Sequence, residues 1–273
     1  MHSIAVVRTI TLMLQGAILP VLRTAVSYLP NDRLLTLREA SDLPRRLRGR
    51  PHEDDFWLLR ELQLDGATIL DIGANRGQAM ASIRMAVTNP VLHAVEPNPS
   101  LAAHLRKRAT ASDTVYEVAL GDRAGVFSLH TPRYGNTLWD TRASLNPDES
   151  AAFLSADMFW RFSHQRCSVE VVEVQVRTMD SMRLRPAFIK IDVEGFDHAV
   201  VSGGMDTIIE ASPAILIEEP HEDTVTMLES AGYRPYTYDH ATGKLSGPNT
   251  TALNTFFFTA EAIDRFGFEA RLV

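Results

Sequence analysis

Cysteine and long apolar runs are scarce in this 273-residue chain, and each absence excludes a class of protein. Cys167 is the sole cysteine, so an intrachain disulfide and an all-cysteine metal site are excluded. This composition fits a reducing compartment, and we expect a cytoplasmic protein. No run of about eighteen apolar residues occurs, so the pattern typical of a membrane-spanning helix is missing.

Negative charge predominates over the chain but not at its start. The formal net charge is −7, yet residues 1–50 hold eight arginines and only three acids. The remaining residues, 51–273, therefore carry −12. Such an acidic body is poorly suited to a phosphate backbone, so no nucleic-acid partner is predicted.

Residues 1–55 are predicted to form a basic, amphipathic helical extension. Apolar residues recur there at helical spacing, at Val7, Ile10, Leu14, Ala17 and Val21. Gln15, Pro20 and Arg23 interrupt the stretch and argue against a cleaved signal peptide. The helix could lie on the inner membrane surface as a peripheral contact, pack on its own domain, or join a second copy in a homodimer.

Residues 56–273 are predicted to form one α/β domain, because short apolar runs alternate with helical patterns. The expected strands are 68–72, 91–95, 114–120, 126–130, 169–177, 187–191, 214–218, 233–238 and 254–259, and the expected helices are 77–87, 99–109, 196–209 and 223–231. Strands 126–130 and 169–177 are expected to form an antiparallel excursion. Residues 131–166 are aromatic-rich and long for a connection, which indicates either a substrate lid or a satellite helix covering the sheet.

The segment TILDIGANRGQ combines an apolar strand, an acid at its tip and two glycines before a helix. A dinucleotide fingerprint would place glycines where Asn75 and Gln78 stand, so a pyrophosphate is disfavoured. Asp71 suits instead a ligand with a cation, such as the sulfonium of S-adenosyl-L-methionine (SAM). Gly73 and Gly77 would let the backbone approach that ligand.

Two further acids follow the next strands. Glu96 ends the second strand, where a carboxylate can accept both ribose hydroxyls of a nucleoside. Asp122 follows the third strand and could receive an adenine amino group.

In the segment IKIDVEGFD, a run that reads as a buried strand is followed directly by acidic residues. Lys190 and Asp192 share one face of the strand, and Lys190 is expected to pair with a neighbouring acid. If this strand lies beside the first, Asp192 and Glu194 reach the rim where ligands of open α/β sheets bind.

As a set, these motifs resemble the FkbM-type SAM-dependent methyltransferases. The motifs, in order, are LDIGANRG, AVEPNP, ALGD, FIKIDVEGFDHAVVSGG, ILIEE and NTFFF, and they cover about residues 65–259. The resemblance implies a class I (Rossmann-like) fold, with a seven-stranded, mostly parallel sheet whose last strand is antiparallel. It also implies O-methylation of a sugar, glycolipid or related natural product.

Together with the positions of these residues at the strand ends, the resemblance also assigns a role to each predicted site residue. The methionine portion of SAM would be held by Asp71, Gly73, Asn75 and Gly77, the ribose by Glu96, the adenine side by Asp122, and Asp192 would lie nearest the methyl group. His221, directly after the fifth strand, is the favoured general base, with Asp192 or Glu194 as alternatives. A divalent cation held by carboxylates at 192, 194, 218 and 219 is a less favoured alternative, so no metal is predicted.

The predicted function is therefore an O-methyltransferase in the cytoplasm or at the inner membrane surface. Two other functions stay open: a nucleotide-dependent oxidoreductase or epimerase, and a non-catalytic, membrane-associated module that binds a nucleoside.

Overall fold

The computed structural model describes residues 18–29, 45, 47–249, 252–266 and 268. The chain divides into two compact units: unit 1 comprises residues 1–41 and 130–172, and unit 2 comprises residues 42–129 and 173–273. The division into an extension, 1–55, and a domain, 56–273, stays a prediction. Of the five positions predicted to form an apolar helix face, Val7 to Ala17 lie outside the described residues.

Unit 2 contains an eight-stranded sheet. The strands are β1 (Thr68–Ile72), β2 (Val91–Val95), β3 (Thr114–Tyr116), β8 (Phe188–Ile191), β9 (Ala214–Glu218), β10 (Tyr233–Asp239), β11 (Lys244–Ser246) and β12 (Asn254–Thr259). Their order is β11-β10-β12-β9-β8-β1-β2-β3. Strand β12 lies between β9 and β10 and is antiparallel to both, as predicted for the last strand. Strand β11 pairs antiparallel with β10 and adds an eighth strand to the predicted seven.

The central strands are buried on both faces, which explains their near-continuous apolar sequences. In β1 and β8, Ile69 and Phe188 face one core cluster, whereas Leu70 and Ile189 face the other. Strands β1, β2, β9 and β12 have the bounds predicted from the sequence.

A second sheet has the order β4-β7-β5-β6. Its strands are β4 (Ala119–Leu120), β5 (Gly125–Tyr134), β6 (Thr137–Leu138) and β7 (Cys167–Arg177). The predicted strand 114–120 was therefore wrong as one element, because it divides into β3 and β4. Strand β5 is longer than predicted, and β5 and β7 each contribute residues to both units.

Helices fill the connections. They are α1 (residues 18–26), α2 (Gln78–Ala86), α3 (Pro99–Arg106), α4 (Pro147–Ala152), α5 (Asp197–Ser202), α6 (Met205–Ala211), α7 (Glu222–Ser230) and α8 (Ala260–Phe266), and a 3-10 helix spans Asp54–Glu61. The single helix predicted over 196–209 was wrong, because it breaks at Gly203 and Gly204. A Cβ atom on Gly203 would lie 2.0 Å from the Gly121 carbonyl oxygen, so the backbone passes where no side chain fits.

In unit 1, the aromatic-rich stretch forms a core of its own. Tyr134, Trp139, Phe153 and Phe159 are its buried members, and the rings of Tyr134 and Phe159 stack with centroids 3.9 Å apart. Segment 131–166 thus contains β6, two 3-10 turns and α4 around an aromatic cluster.

Among the described residues, none of the helices combines the length and the apolar character needed to cross a bilayer.

Candidate functional site

A polar row lies at the carboxyl ends of the central strands. Residues in register across the sheet are Val95, Ile72, Ile191 and Ile217. One step further along each strand stand Glu96, Gly73, Asp192 and Glu218, and Asn254 of β12 pairs in register with Glu218. We call these five residues the polar row. The predicted acids Glu96 and Asp192 therefore flank a glycine at the sheet edge where open α/β folds bind ligands.

The loop after β1 requires its glycine. Gly73 has φ +76°, and a Cβ atom there would lie 1.8 Å from the carbonyl oxygen of Asp192. Asn75 follows with φ 48°, and Gly77, at φ 84°, precedes the first turn of α2. Left-handed conformations at three alternate positions fold the loop back tightly over the strand end.

Glu96 is held in place by hydrogen bonds from the backbone. Its two carboxylate oxygens accept the amide N–H groups of Asn75 and Asn98, each at 2.8 Å, and the residue is 5% exposed. A carboxylate at the carboxyl end of the second strand is suited to accept the two hydroxyls of a ribose.

Lys190 lies between two carboxylates beneath the row. Its Nζ atom is 3.0 Å from Asp192 Oδ2 and 3.6 Å from Asp71 Oδ1, and it donates to the Gly73 carbonyl oxygen at 3.1 Å. Burial alone would lower the pKa of the lysine, but the two carboxylates outweigh burial and raise it. The prediction that Lys190 pairs with a neighbouring acid is confirmed.

Asp71 is fully buried beside that lysine. Burial raises the pKa of the Asp71 carboxyl, and the Lys190 cation opposes this shift only in part. Neither carboxylate oxygen of Asp71, nor Oδ1 of Asn75, has a hydrogen-bond partner among the described residues. These buried acceptors, together with the acids of the row, fit a ligand that carries an ammonium or a sulfonium.

Glu218 is a candidate site residue that the sequence analysis named only as a possible metal ligand. Burial, followed by the negative charges of Asp192 and Glu53, raises the pKa of Glu218 to about 8. The sequence placed an acid at the end of β9, but neither its burial nor the approach of Glu53 can be read from local pattern.

Asn254, which pairs in register with Glu218, forms hydrogen bonds with two further acids. Its Nδ2 group donates to Glu53 Oε2 and to Asp55 Oδ2, both at 2.8 Å. Burial also raises the pKa of Asp55. Within the described ranges, no three His, Cys, Asp or Glu side chains are grouped as a metal ion would require.

The loops after β8 and β9 place the remaining predicted residues. Glu194 has φ 41° and Gly195 has φ 75°, so two consecutive left-handed residues turn the chain into α5. Buried Asp197 accepts the amide N–H of His221 at 2.9 Å and ties the two loops together. The imidazole of His221 is 66% exposed and caps α7 by accepting the amide N–H of Asp223.

Asp122 lies just beyond the end of β4 rather than on the central sheet. Its side chain is 43% exposed and forms an ion pair with Arg123 at 3.3 Å. The structure therefore brings Asp71, Gly73, Asn75, Glu96 and Asp192 to one edge, whereas Asp122 and His221 are exposed.

The fold, a mostly parallel sheet with its last strand inserted antiparallel and a glycine loop after β1, is that of a class I methyltransferase. The family described as "Methyltransferase FkbM domain" matches residues 71–235. The chain belongs to this family, and its methyl-donor cofactor is SAM.

Solved structures with a similar fold share little sequence with the chain. A methyltransferase FkbM from Methylobacillus flagellatus KT is 15% identical, with a TM-score of 0.43 over 71% of this chain. The match spans 44% of that enzyme, less than half of its length. A TehB-like SAM-dependent methyltransferase from Corynebacterium glutamicum is 10% identical, with a TM-score of 0.43 over 84% of this chain and 99% of its own. A SAM-dependent O-methyltransferase from Thermotoga maritima is 11% identical, with a TM-score of 0.36 over 77% of this chain and 65% of its own. No curated protein matches the sequence.

Proposed function

We propose that the protein is an O-methyltransferase that transfers the methyl group of SAM to a hydroxyl of a sugar, glycolipid or related natural product. The observation that carries this proposal is the polar row, in which an acid with a pKa near 8 adjoins the predicted cofactor residues. The sole cysteine is half-buried, and we place the protein in the cytoplasm, where a thiol stays reduced.

The predicted cofactor residues would each bind a different part of SAM. Asp71 and the loop of Gly73, Asn75 and Gly77 would hold the methionine portion, because buried acceptors there match an ammonium group. Glu96 would hold the ribose hydroxyls. Asp122 remains the proposed partner of the adenine side, at an exposed position that a bound nucleoside would cover.

When bound, SAM supplies an electrophilic methyl group, so the chain's task is to position the acceptor hydroxyl and remove its proton. Of the three general bases predicted, His221 is exposed and Glu194 is set in a strained turn, whereas Asp192 is already paired with Lys190. Glu218 has a pKa near the operating range of a general base. We therefore assign the base role to the Glu218 carboxylate and a positioning role to Asp192, with His221 and Glu194 as alternatives.

A label-transfer incubation, together with calorimetry, distinguishes this function from the two alternative functions. The protein is mixed with methyl-labelled SAM and with polar-lipid and oligosaccharide extracts, and label is sought in a product stable to base hydrolysis of esters. Transfer to a hydroxyl supports the proposal. SAM binding without transfer to any extract would favour a non-catalytic module, and calorimetric binding of NAD but not of SAM would favour an oxidoreductase.

A matched pair of variants tests the cofactor placement. Glu96→Gln keeps the shape of the side chain but replaces one acceptor oxygen with a donor, so SAM affinity should fall by about tenfold or more. Glu210→Gln changes a carboxylate that is 67% exposed on α6 and should leave the affinity unchanged. Equal affinities in the two variants would remove Glu96 from the site.

A further inference from the structure

Asn254 joins the polar row to two acids that lie outside the residues matched by the family. The match spans residues 71–235, whereas Asn254 follows it in the chain and Glu53 and Asp55 precede it. The Nδ2 group of Asn254, which carries two hydrogens, donates to Glu53 Oε2 and to Asp55 Oδ2 at 2.8 Å. We define the acid bridge as Glu53, Asp55 and Asn254. It ties the start of β12 to the start of the 3-10 helix.

The acid bridge brings the Glu53 carboxylate close to Glu218. Asn254 is the register partner of Glu218, which ends the neighbouring antiparallel strand β9. Side chains of directly opposed residues in such a pair stand on the same face of the sheet, with Cβ atoms about 4.5–5.5 Å apart. Because Glu53 is hydrogen-bonded to the end of the Asn254 side chain, its carboxylate lies within the reach of one side chain from Glu218.

The amide of Asn254 holds two carboxylates together without neutralising them. A lysine or arginine at this position would add a positive charge, as Lys190 does between Asp71 and Asp192. The amide instead offers two donors and no charge. Asn254 is 6% exposed, so water screens the charges around it only weakly. The acid bridge therefore keeps negative charge beside Glu218.

Charged groups on two sides act on the Glu218 carboxyl. Burial is the largest reason why the pKa of Glu218 is raised to about 8. The like charges of Asp192, at the end of β8, and of Glu53, in the acid bridge, add to this effect, and Lys190 opposes it. The imidazole of His52 lies 3.6 Å from Glu53 Oε1, so its charged form would offset the charge of Glu53.

We propose that Asn254 and Glu53 are positioning residues of the methyl-transfer site, which act through the Glu218 carboxyl by holding a second carboxylate beside it. This inference rests on the proposed function, because it takes Glu218 as the general base. Its consequence is that segments on both sides of the matched residues 71–235 take part in activating the acceptor.

Titration of Glu218 in the parent and in Glu53→Gln is the test. Glutamine keeps an oxygen that can accept the Asn254 N–H but carries no charge. The full chain is labelled with carbon-13 at the glutamate carboxyl carbons, and the Glu218 signal is assigned by its absence in Glu218→Gln. Its midpoint should fall by roughly 0.5–1 pH unit in Glu53→Gln, because a like charge is removed. Glu210→Gln, at an exposed position on α6, is the matched control and should keep the parent midpoint. A midpoint in Glu53→Gln equal to that of the parent overturns the proposal.

A second variant separates positioning from support of the fold. Asn254→Ala frees the Glu53 carboxylate to turn towards solvent, so the Glu218 midpoint should fall in this variant too. When both substitutions are combined, Asn254→Ala should add little to the shift of Glu53→Gln, because it acts through Glu53. Shifts of equal size in the two backgrounds overturn the role of Asn254. Circular dichroism checks the fold of each variant, and Glu53→Gln, which keeps the hydrogen bond, decides the proposal if Asn254→Ala does not fold.

Turnover gives a readout that a loss of stability would not produce. More of the Glu218 carboxylate is ionised at pH 7 once its like-charged neighbour is removed, so methyl transfer by Glu53→Gln at that pH should rise about twofold or more. A lowered midpoint without any gain in transfer overturns the proposal, because the charge would then act on a group that the reaction does not use. The titration needs no turnover, so failure of this inference, an unshifted midpoint, is distinguishable from failure of the proposed function, an inactive parent.

Discussion

The ammonium of Lys190 lies 3.0 Å from the carboxylate of Asp192, although the lysine side chain is only 8% exposed. The same cation neutralises part of the charge of Asp71, which is completely buried on the adjoining strand. Lys190 therefore stabilises two carboxylates, Asp71 and Asp192, that lie close together at the carboxyl edge of the sheet.

Replacing Lys190 should be costly to the fold. Lys190→Met leaves Asp71 and Asp192 without their cation, and we expect the free energy of unfolding to fall by about 3–5 kcal/mol, as when one partner of a buried pair is removed. Denaturant unfolding followed by circular dichroism measures this. The control is Arg185→Gln, which breaks an exposed pair with Glu210 and should cost less than about 1 kcal/mol. Similar losses in both variants would contradict the role of Lys190.

Gly73→Ala should damage both stability and cofactor binding. The new methyl group would overlap the Asp192 carbonyl oxygen, in addition to the strain of φ +76°. Gly66→Ala is a close control, because Gly66 has φ +72° but a Cβ atom there would have no neighbour within 4 Å. The control therefore measures the backbone strain alone, roughly 1–2 kcal/mol. Thermal unfolding and SAM calorimetry should show a larger loss for Gly73→Ala, with affinity retained only by the control. Equal losses would mean that the close approach is unimportant.

The stability of the protein should depend on Glu218 in a defined pH window. Burial raises the pKa of Glu218 from 4.5 to about 8 in the folded state, so its contribution is complete below pH 4.5 and is lost as pH rises through about 8. Glu218→Gln cannot ionise and should flatten the fall in unfolding free energy across that window. Urea titrations at a series of pH values check this.

The same carboxyl gives a prediction for turnover. If Glu218 is the base, methyl transfer by the parent should rise with pH through about 8, as the carboxylate becomes ionised. Glu218→Gln should lose this rise together with most of the activity, while SAM binding persists. An unchanged pH profile in Glu218→Gln would return the base role to His221 or Glu194.

The aromatic cluster of unit 1 should behave as a true core. Phe159 is 1% exposed, and Phe159→Ala should lower the free energy of unfolding of its unit by about 3–5 kcal/mol. The adjacent Trp160 is 49% exposed, so Trp160→Ala should change stability by only about 0.5 kcal/mol. Near-ultraviolet circular dichroism against denaturant distinguishes the two.

Much of the central sheet could be predicted because its strands are apolar runs with sharp ends. Strand β9, AILIE, shows this: four buried residues precede an acid and a turn. The order of the acids along the chain then predicted that Asp71, Glu96 and Asp192 meet at one edge, since parallel strands end on the same side.

Features that depend on distant contacts could not be predicted in this way. At Gly203, where the helix breaks after α5, the carbonyl of Gly121, far away in sequence, occupies the space that a side chain would need. Strand β11 is a three-residue edge strand with little pattern of its own. The raised pKa of Glu218 arises from burial and from Asp192 and Glu53, so its importance is a tertiary property.

Unit 1 draws its parts from two distant stretches of chain, and this affects how the protein can be shortened. The family match begins at residue 71, but carbonyl oxygens of Pro20, Val26 and Ser27 accept hydrogen bonds from segment 130–172. A chain that begins at residue 71 would leave those donors without their acceptors and would expose one side of the unit. We expect such a fragment to be prone to aggregation, because residues 20–27 accept hydrogen bonds from the rest of the unit.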